Sequence, residues 1–323
     1  MANRGAAPRA SFDDVDSCYW LLLGRDPDPE GRGLYRSYVE SGILREELVN
    51  LFVGSPEFRE RLVSTLGWTE SAPEPVRVGK LTYYVSADDT AIGLALRRSG
   101  EYEPELTALV KRHLREGQRF VDVGAAFGYF ATLAGTIVGP TGSVAAFEPG
   151  PQNRSLLLLN LAMNGVTASE VHQLALSDTP ALYLYSSSGA NGFLTPFRNK
   201  PEELATHALV QAVRLDDVIG PRPVDMMKID VEGAEGLVLK GAVETLERCH
   251  PMLFCEFSPP SLVNTSGVDG PAFLENLRGY GYSIDIVDGR SKNLTGRTTA
   301  EVMSAFEATS SDHIDIVAWV APA

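Results

Sequence analysis

The feature that most constrains the fold is a glycine turn between two apolar runs. Residues 119–130 read RFVDVGAAFGYF, so that one apolar run ends at Gly124 and a helix opens after Gly128. A second apolar run, SVAAFEP at 143–149, ends in the carboxylate of Glu148. A strand, a glycine turn, a helix and a second strand ending in an acid make up the βα unit that holds nucleoside cofactors. The sequence therefore predicts a nucleoside-cofactor site in an α/β domain.

The spacing of these glycines decides which nucleoside cofactor fits. A dinucleotide-binding turn carries three glycines as G-x-G-x-x-G, so that backbone amides can approach a pyrophosphate. Counting from Gly124, Ala126 and Tyr129 occupy the second and third glycine positions, which argues against a nicotinamide oxidoreductase. The turn begins with Asp122, and Glu148 can accept hydrogen bonds from both ribose hydroxyls. This combination fits S-adenosylmethionine.

The charge balance limits the expected partners. The 323 residues are 44% hydrophobic and 22% charged, which is ordinary for a globular chain with one α/β domain and an appendage. The formal net charge is -14. Because nucleic acids and anionic membranes attract Lys/Arg-rich surfaces, we expect neither as a partner. An acidic surface favours a neutral small-molecule or oligosaccharide acceptor.

The cysteines and the apolar runs indicate a cytoplasmic protein. Cys18, Cys249 and Cys255 lie in apolar runs without C-x-x-C spacing, which predicts buried free thiols. Residues 1–10 lack the apolar core of a signal peptide, and no run of about 18 apolar residues predicts a membrane span. A reducing cytosol is the expected location, and the sequence leaves a homo-oligomer open.

Two changes of pattern divide the chain. Residues 11–68 carry apolar stripes at helical spacing, which predicts an N-terminal all-helical domain over residues 1–70. The proline-rich stretch SAPEP at 71–75 opens a linker assigned to residues 71–78. Residues 79–323 alternate short β-rich runs with helical ones, a pattern typical of a largely parallel sheet covered on both faces.

The larger part is predicted to hold seven strands. They lie near residues 119–123, 143–148, 171–175, 225–230, 252–257, 283–287 and 314–320. Helices are predicted over residues 104–115, 128–138, 151–163, 234–248 and 271–280. The polar segment 186–208 is predicted to be an irregular loop, which either covers the substrate or is a disordered connection.

Five separated motifs in this part resemble one known family. They are VDVGAAFG at 121–128, FEP at 147–149, LDD at 215–217, KIDVEGAE at 228–235 and LKG at 239–241. In this order they resemble the FkbM family of S-adenosylmethionine-dependent O-methyltransferases, from about residue 78 to the end. The resemblance implies an α/β fold, a Rossmann-like seven-stranded methyltransferase sheet with helices on both faces. One departure is Ala126, where the family usually carries asparagine.

The N-terminal part resembles a second family, which bears on the acceptor. LGRDPDPEG at 23–31 and SPEF at 55–58 resemble a small bacterial helical domain of unassigned function that often accompanies glycan-related enzymes. The expected acceptor is a hydroxyl of a sugar, oligosaccharide or glycan intermediate, and Asn191 and His207 are the candidates for contacting it. A polyketide or other secondary-metabolite hydroxyl is the alternative. A further alternative is a non-catalytic scaffold protein whose methyltransferase-like domain has no activity.

The cofactor site is expected at one edge of the sheet, because the carboxyl ends of parallel strands meet there. The resemblance assigns Gly124, Gly128 and Glu148 to the cofactor and places Ser177 and Asp178 near its adenine. The full set of predicted cofactor-binding residues is Glu103, Asp122, Gly124, Ala125, Gly128, Glu148, Ser177, Asp178 and Asp230.

The catalytic candidates are Lys228, Asp230, Glu232 and Glu256. Methyl transfer to a hydroxyl needs the two reacting atoms aligned at about 3–3.5 Å, together with a base or a Lewis-acidic metal. Asp230 and Glu256 either ligate Mg²⁺ or act as the base and as an electrostatic partner of the sulfonium. Related sugar-modifying O-methyltransferases use an acidic metal cluster, which by resemblance favours the metal. Lys228 is expected to pair with Asp230, and Glu232 either contacts the substrate or caps the next helix.

Overall fold

The computed structural model of the chain describes residues 9–58, 60–61, 73–87, 89–188, 191–198, 204, 207–289 and 294–321. Its strands are β1 Glu74–Val78, β2 Leu81–Val85, β3 Arg119–Val123, β4 Ser143–Phe147, β5 Ser169–His172, β6 Ala175–Leu176, β7 Ala181–Ser188, β8 Asn191–Pro196, β9 Ala208–Val213, β10 Met226–Ile229, β11 Met252–Phe257, β12 Ser283–Ile286 and β13 Ile314–Trp319.

The helices in these ranges are α1 Phe12–Cys18, α2 Pro29–Glu40, α3 Arg45–Val53, α4 Ile92–Ser99, α5 Pro104–His113, α6 Tyr129–Val138, α7 Pro151–Met163, α8 Leu215–Ile219, α9 Glu235–Lys240, α10 Val243–Cys249, α11 Pro259–Ser266, α12 Gly270–Gly279 and α13 Thr299–Ala308. A π-helical segment, Tyr19–Leu23, follows α1 directly. None of these described helices is both long enough and apolar enough to span a bilayer.

Seven strands form a central sheet in the order β12-β13-β11-β10-β3-β4-β5. The strands β11, β10, β3, β4 and β5 are parallel, and β13 lies antiparallel between β11 and β12. The chain order reverses between β3 and β10, so the cleft at their carboxyl ends is the topological switch point of the sheet. This arrangement confirms the predicted α/β fold.

Alternation along the strands separates two apolar cores. Phe120 and Phe254 face one core, which α5, α6 and α7 complete. Val121 and Leu253 face the other core, which α10, α11 and α12 complete. Side chains on a strand point alternately to opposite faces, so each strand supplies both cores and needs helices on both sides.

A second sheet of four strands has the order β6-β9-β7-β8. β7 and β8 form an antiparallel hairpin in which Tyr185 pairs with Leu194 and Ser186 with Phe193. The prediction of an irregular loop over residues 186–208 is therefore wrong for these strands. The serines that end β7 have the composition of a linker, but they pair with β8, which satisfies backbone groups of these residues.

Two further predictions are corrected. The strand predicted over 171–175 ends at His172, and the chain enters the second sheet at Ala175. The helix predicted over 234–248 is two helices separated at Gly241. Gly241 lies against the backbone of Ser177, where a Cβ would come within 3.1 Å of the carbonyl carbon, so the chain bends at a residue that permits this approach.

The two N-terminal sequence motifs contact each other. Asp28 caps α2 by accepting a 2.7 Å hydrogen bond from the Gly31 amide. Arg25 donates to both carboxylate oxygens of Glu57, at 2.5 and 2.9 Å. The paired guanidinium and carboxylate groups thereby hold the α1–α2 connection against residues 56–58, a helical stretch that follows α3.

The N-terminal helices and the α/β part share a hydrophobic core. Leu48 and Phe52 of α3 are fully buried in the same cluster as Tyr84 of β2. The Tyr84 hydroxyl donates to the Asn50 side chain, and Asn160 of α7 bonds to the Tyr84 amide and carbonyl at 2.6 and 3.0 Å. β1, which occupies residues 74–78 of the segment assigned as linker, pairs with β2.

Candidate active site

A cavity of about 160 Å³ opens at the carboxyl ends of β3, β4 and β10. Its walls come from these strand ends, the second sheet and the helices α4 and α11. The residues that line it are Ile92, Tyr102, Val123, Gly124, Ala126, Phe147, Glu148, Pro149, Leu174, Ala175, Leu176, Tyr185, Gly192, Phe193, Leu194, Asp230, Val231, Glu232, Ala234 and Thr265. Ligands of open parallel sheets bind at this position, so the cavity is the candidate active site.

The turn between β3 and α6 requires glycine at two positions. Gly124 has φ +79° and Gly128 has φ +88°, conformations that residues with a Cβ rarely adopt. A Cβ on Gly124 would also overlap the backbone carbonyl oxygen of Asp230, so the turn packs directly on the end of β10. Ala126 has φ +47° and is strained for an alanine. Asparagine tolerates this conformation better than alanine does.

Glu148 closes the other side of the turn. Its carboxylate accepts hydrogen bonds from the Ala126 amide at 2.9 Å and from the Gly150 amide at 2.7 Å. The residue is 4% exposed, and burial raises the pKa of Glu148 to about 8. Each carboxylate oxygen can accept a further hydrogen bond, so Glu148 remains able to receive ribose hydroxyls.

Lys228 and Asp230 form a buried ion pair beside the cavity, with 2.6 Å between Nζ and Oδ2. The Lys228 ammonium also lies 5.1 Å from the centre of the Phe130 ring. Burial opposes ionisation of both groups, but their mutual attraction holds the pKa of Asp230 below and that of Lys228 above its usual value. Asp230 is therefore an ionised carboxylate that lines the cavity.

Two further carboxyl groups face the same ammonium. Asp122 lies opposite Lys228 in the register of β3 and β10, and Glu103 stands at the start of α5 with φ +42°. Neither Asp122 oxygen has a hydrogen-bond partner of normal geometry, and the same is true of Glu103 Oε2. Burial raises the pKa of Asp122 to about 6 and that of Glu103 to about 7. Orphaned carboxylate oxygens at this depth are expected to face a ligand.

Glu256 and Asp315 extend the acidic group across the sheet. They are directly opposite each other on β11 and β13, and Glu256 hydrogen bonds to Asp230. Burial, followed by the charge of Asp230, raises the pKa of Glu256 to about 10. Of these two neighbouring carboxyl groups, Glu256 therefore holds a proton more strongly than Asp230. Among the described residues, no group of three or more His, Cys, Asp or Glu side chains has the arrangement of a metal site.

Glu232 lines the cavity in a left-handed conformation, with φ +55°. Burial, followed by the charge of Asp230, raises the pKa of Glu232. The amides of this turn bond instead to Glu235, whose carboxylate accepts from Val231 at 2.9 Å and from Gly233 at 3.3 Å. Glu235 thus binds amides of the turn that precedes α9, and the start of α9 has no side-chain cap, so Glu232 does not fill the capping role that was its alternative.

Of the predicted site residues, Gly124, Glu148, Asp230 and Glu232 line the cavity. Those outside its lining are Glu103, Asp122, Gly128, Lys228 and Glu256, together with the following residues. Ala125 is buried in the turn, and Ser177 is buried with its hydroxyl 3.2 Å from an oxygen of Asp178. Leu174, Ala175 and Leu176 form the wall that was expected from Ser177 and Asp178, because the chain changes sheets at this point. His207 is exposed before β9, and Asn191 begins β8 with its side chain outside the described part.

Sequence reasoning missed several lining residues, above all those of the second sheet. Phe193 lies in the segment 186–208 that was predicted to be a loop, and Tyr185 directly precedes that segment. The short apolar run of Leu182, Tyr183, Leu184 and Tyr185, rich in aromatic residues, was the available signal for a strand.

Fold and site together define a Rossmann-like methyltransferase fold. The chain belongs to the FkbM methyltransferase family, because residues 122–284 match the family described as Methyltransferase FkbM domain. Residues 8–62 match a second family, described as a domain of unknown function, DUF4214.

The chain is similar to two fungal proteins. It is 32% identical over 142 residues to Methyltransferase 1 of Beauveria bassiana, and the alignment covers 38% of this chain and 57% of the relative. It is 30% identical over 156 residues to Methyltransferase sdnD of Sordaria araneosa, which covers 38% of this chain and 60% of the relative. A solved structure of Methyltransferase FkbM from Methylobacillus flagellatus KT aligns with a TM-score of 0.40 and 15% identity, over 94% of this chain and 58% of that chain.

Proposed function

We propose that the chain is an S-adenosylmethionine-dependent O-methyltransferase that acts on a hydroxyl of a sugar, oligosaccharide or glycan intermediate. The observation that carries this proposal is the cavity in which the glycine turn, the Glu148 carboxylate and the Asp230 carboxylate meet. Family membership supports methyl transfer. The absence of the second and third glycines of a dinucleotide turn favours a donor without pyrophosphate.

The charge of the site supports a cationic donor. Asp122 is 1% exposed and neither of its oxygens has a hydrogen-bond partner of normal geometry. Lys228 is the ammonium that faces Asp122, Asp230 and Glu103. A buried group with more carboxylates than ammonium groups is stabilised by a cationic ligand. S-adenosylmethionine carries a sulfonium and an ammonium, and when bound it supplies an electrophilic methyl group. Gly124, Glu148 and Asp122 are the residues that would hold it.

We assign the acceptor proton to Glu232. This carboxyl group lines the cavity, and its pKa is raised by burial and by the charge of Asp230, which makes it a stronger base than an ordinary glutamate. As the acceptor oxygen gains the methyl group, its proton moves to a carboxylate oxygen of Glu232. Asp230, kept ionised by Lys228, holds negative charge at the rim while the proton moves.

Asp230 and Glu256 do not fit a divalent metal site as they stand. Asp230 already binds the Lys228 ammonium at 2.6 Å, and among the described residues no third His, Cys, Asp or Glu completes a metal-binding group with this pair. Mg²⁺ is bound by ionised carboxylates together with retained waters. The Mg²⁺ requirement that the resemblance favours stays a prediction, which the titration below tests.

The mouth of the cavity supports a sugar as the acceptor. Phe193 lines it with a side chain that is 45% exposed, and Glu232 and Thr265 line it with polar atoms. An aromatic ring beside carboxylate and hydroxyl groups matches the C–H face and the hydroxyls of a sugar ring. The apolar side chains of Leu174 and Leu176 fit the alternative, a polyketide or other secondary-metabolite hydroxyl.

The first experiment is a calorimetric titration of S-adenosylhomocysteine into the full chain, with Mg²⁺ and with a chelator. We expect micromolar binding that is unchanged by the chelator, followed by methyl transfer to sugar hydroxyls in a radiolabel screen. Glu232→Gln is expected to keep the donor affinity and to lose at least a hundredfold in turnover, the size of a general-base contribution of about 10² to 10⁴.

The outcomes separate the parts of this proposal. A chain that does not bind S-adenosylhomocysteine contradicts the donor assignment and favours the scaffold function. Binding that requires Mg²⁺ contradicts the argument that Asp230 and Glu256 do not form a metal site. An unchanged turnover of Glu232→Gln removes Glu232 from proton transfer.

A further inference from the structure

One cavity residue comes from the second sheet and stands next to the strand-end acid. Tyr185 of β7 is 7% exposed and lines the cavity. Burial, followed by the charge of Glu148, raises the pKa of Tyr185, so its hydroxyl stays protonated and can donate. The ring is packed with Ala175, Val210 and Ala212 of the same sheet, which hold it in place.

Two glycines from separate segments make room for this ring. A Cβ on Gly192 would lie 2.8 Å from the Tyr185 Oη and 2.9 Å from its Cζ. A Cβ on Gly150 would lie 2.6 Å from Tyr185 Cζ and 2.8 Å from Glu148 Oε1. Contacts under 3.0 Å are closer than real Cβ atoms tolerate, so both positions are restricted to glycine while the tyrosine keeps its place.

The Gly150 contacts also locate the tyrosine hydroxyl. Tyr185 Oη and Glu148 Oε1 both lie beside the same Cβ position, so the phenol and the carboxylate are neighbours across this glycine. Glu148 Oε1 accepts from the Gly150 amide, which fixes the carboxylate on the Tyr185 side. A donor hydroxyl and an acceptor carboxylate therefore point into the same part of the cavity.

We propose that Tyr185 is a nucleoside-binding residue, which with Glu148 holds the ribose end of the methyl donor. The inference rests on the proposed donor, and it makes the four-stranded sheet part of the cofactor site. The tyrosine hydroxyl donates to an oxygen of the nucleoside, while the Glu148 carboxyl group is placed to accept from the ribose hydroxyls. The ring forms the apolar outer wall of the same compartment.

The test compares Tyr185→Phe with Tyr183→Phe in the full chain. Tyr183 lies on the same strand and the same face of the sheet, but it is not among the described lining residues, so the two variants lose the same hydroxyl in different places. Calorimetry with S-adenosylhomocysteine is expected to show about a 2- to 12-fold weaker affinity for Tyr185→Phe only, as the loss of one hydrogen bond predicts. Methylthioadenosine, which lacks the amino-acid end, is expected to lose the same factor.

A double-mutant cycle with Glu148→Gln distinguishes a ligand contact from a structural effect. If both residues serve the same nucleoside, the double variant loses less affinity than the product of the two single losses, while the thermal unfolding midpoints of Tyr185→Phe and Tyr183→Phe agree. Equal affinities of Tyr185→Phe and wild type, with wild type binding well, overturn this inference and leave the proposed donor in place. Failure of wild type to bind either probe overturns both.

Discussion

Lys228→Met tests whether one ammonium compensates the buried carboxylates of the site. The Lys228 side chain is 8% exposed and that of Asp230 is 25% exposed, with 2.6 Å between the charged atoms. Removing one partner of such a buried pair typically costs about 3–5 kcal/mol, because the other charge is left buried and unpaired. Methionine keeps the length of the side chain, so the loss reports on charge rather than on packing.

The assay is urea unfolding followed by far-ultraviolet circular dichroism at pH 5.5 and pH 7.5. Without Lys228, the folded state raises the pKa of Asp122 and Glu103 further above their unfolded values. Folded protein then binds more protons than unfolded protein, so the stability of the variant falls more steeply than that of wild type as the pH rises. We expect the full loss at pH 7.5 and a smaller one at pH 5.5.

A second variant supplies the control. Lys228→Met/Asp230→Asn removes both members of the pair and is expected to recover much of the loss, because no unpaired carboxylate remains at residue 230. A loss below about 1 kcal/mol for Lys228→Met at pH 7.5, the size expected for an exposed pair, would refute the compensation argument. So would a double variant that is no more stable than the single one.

Three more predictions concern the turn and the donor charge. Gly124→Ala and Gly267→Ala both place alanine in the left-handed region, which costs about 1–2 kcal/mol of stability each. Only the Cβ at residue 124 would overlap a backbone oxygen, so urea unfolding should show a larger loss of stability for Gly124→Ala. Equal losses of stability would contradict the close approach of the two backbones. Ala126→Asn is expected to raise the unfolding free energy by up to about 1 kcal/mol, because asparagine tolerates φ +47° better, and a decrease would argue against strain at this residue. The affinity for S-adenosylmethionine relative to S-adenosylhomocysteine, measured by calorimetry, is expected to rise between pH 6 and pH 8. The cationic donor favours the ionised forms of Asp122 and Glu103, whose pKa values are about 6 and about 7. An affinity ratio independent of pH would contradict this coupling.

The central sheet could be predicted from the sequence because its strands are buried on both faces. Such strands appear as short continuous apolar runs, and β3, β4 and β11 lie within one or two residues of the predicted ranges. The hairpin of β7 and β8 could not be predicted in this way. Its serines and glycine match those of a loop, and they are strand residues because β7 and β8 pair with each other while β9 pairs with the first part of β7.

In the candidate site, too, some residues could be predicted from the sequence and others could not. Gly124, Glu148 and Asp230 follow parallel strands, and the carboxyl ends of parallel strands meet at one edge, so the sequence alone places them together. The same rule does not predict Asp315 at this edge, because β13 is antiparallel and the start of this strand, not its end, lies beside Glu256. Tyr185 escapes it because a separate sheet carries it to the cavity.

The common core of the N-terminal helices and the α/β part has a consequence for how the chain unfolds. Phe52 and Tyr84 belong to one buried cluster, and the Tyr84 hydroxyl bonds to Asn50 across the junction. Parts that bury each other's apolar surface lose that burial together. Heating is therefore expected to melt the helical region and the catalytic sheet in one cooperative transition, and a chain trimmed of its first 72 residues would present the Tyr84 side of its core to water.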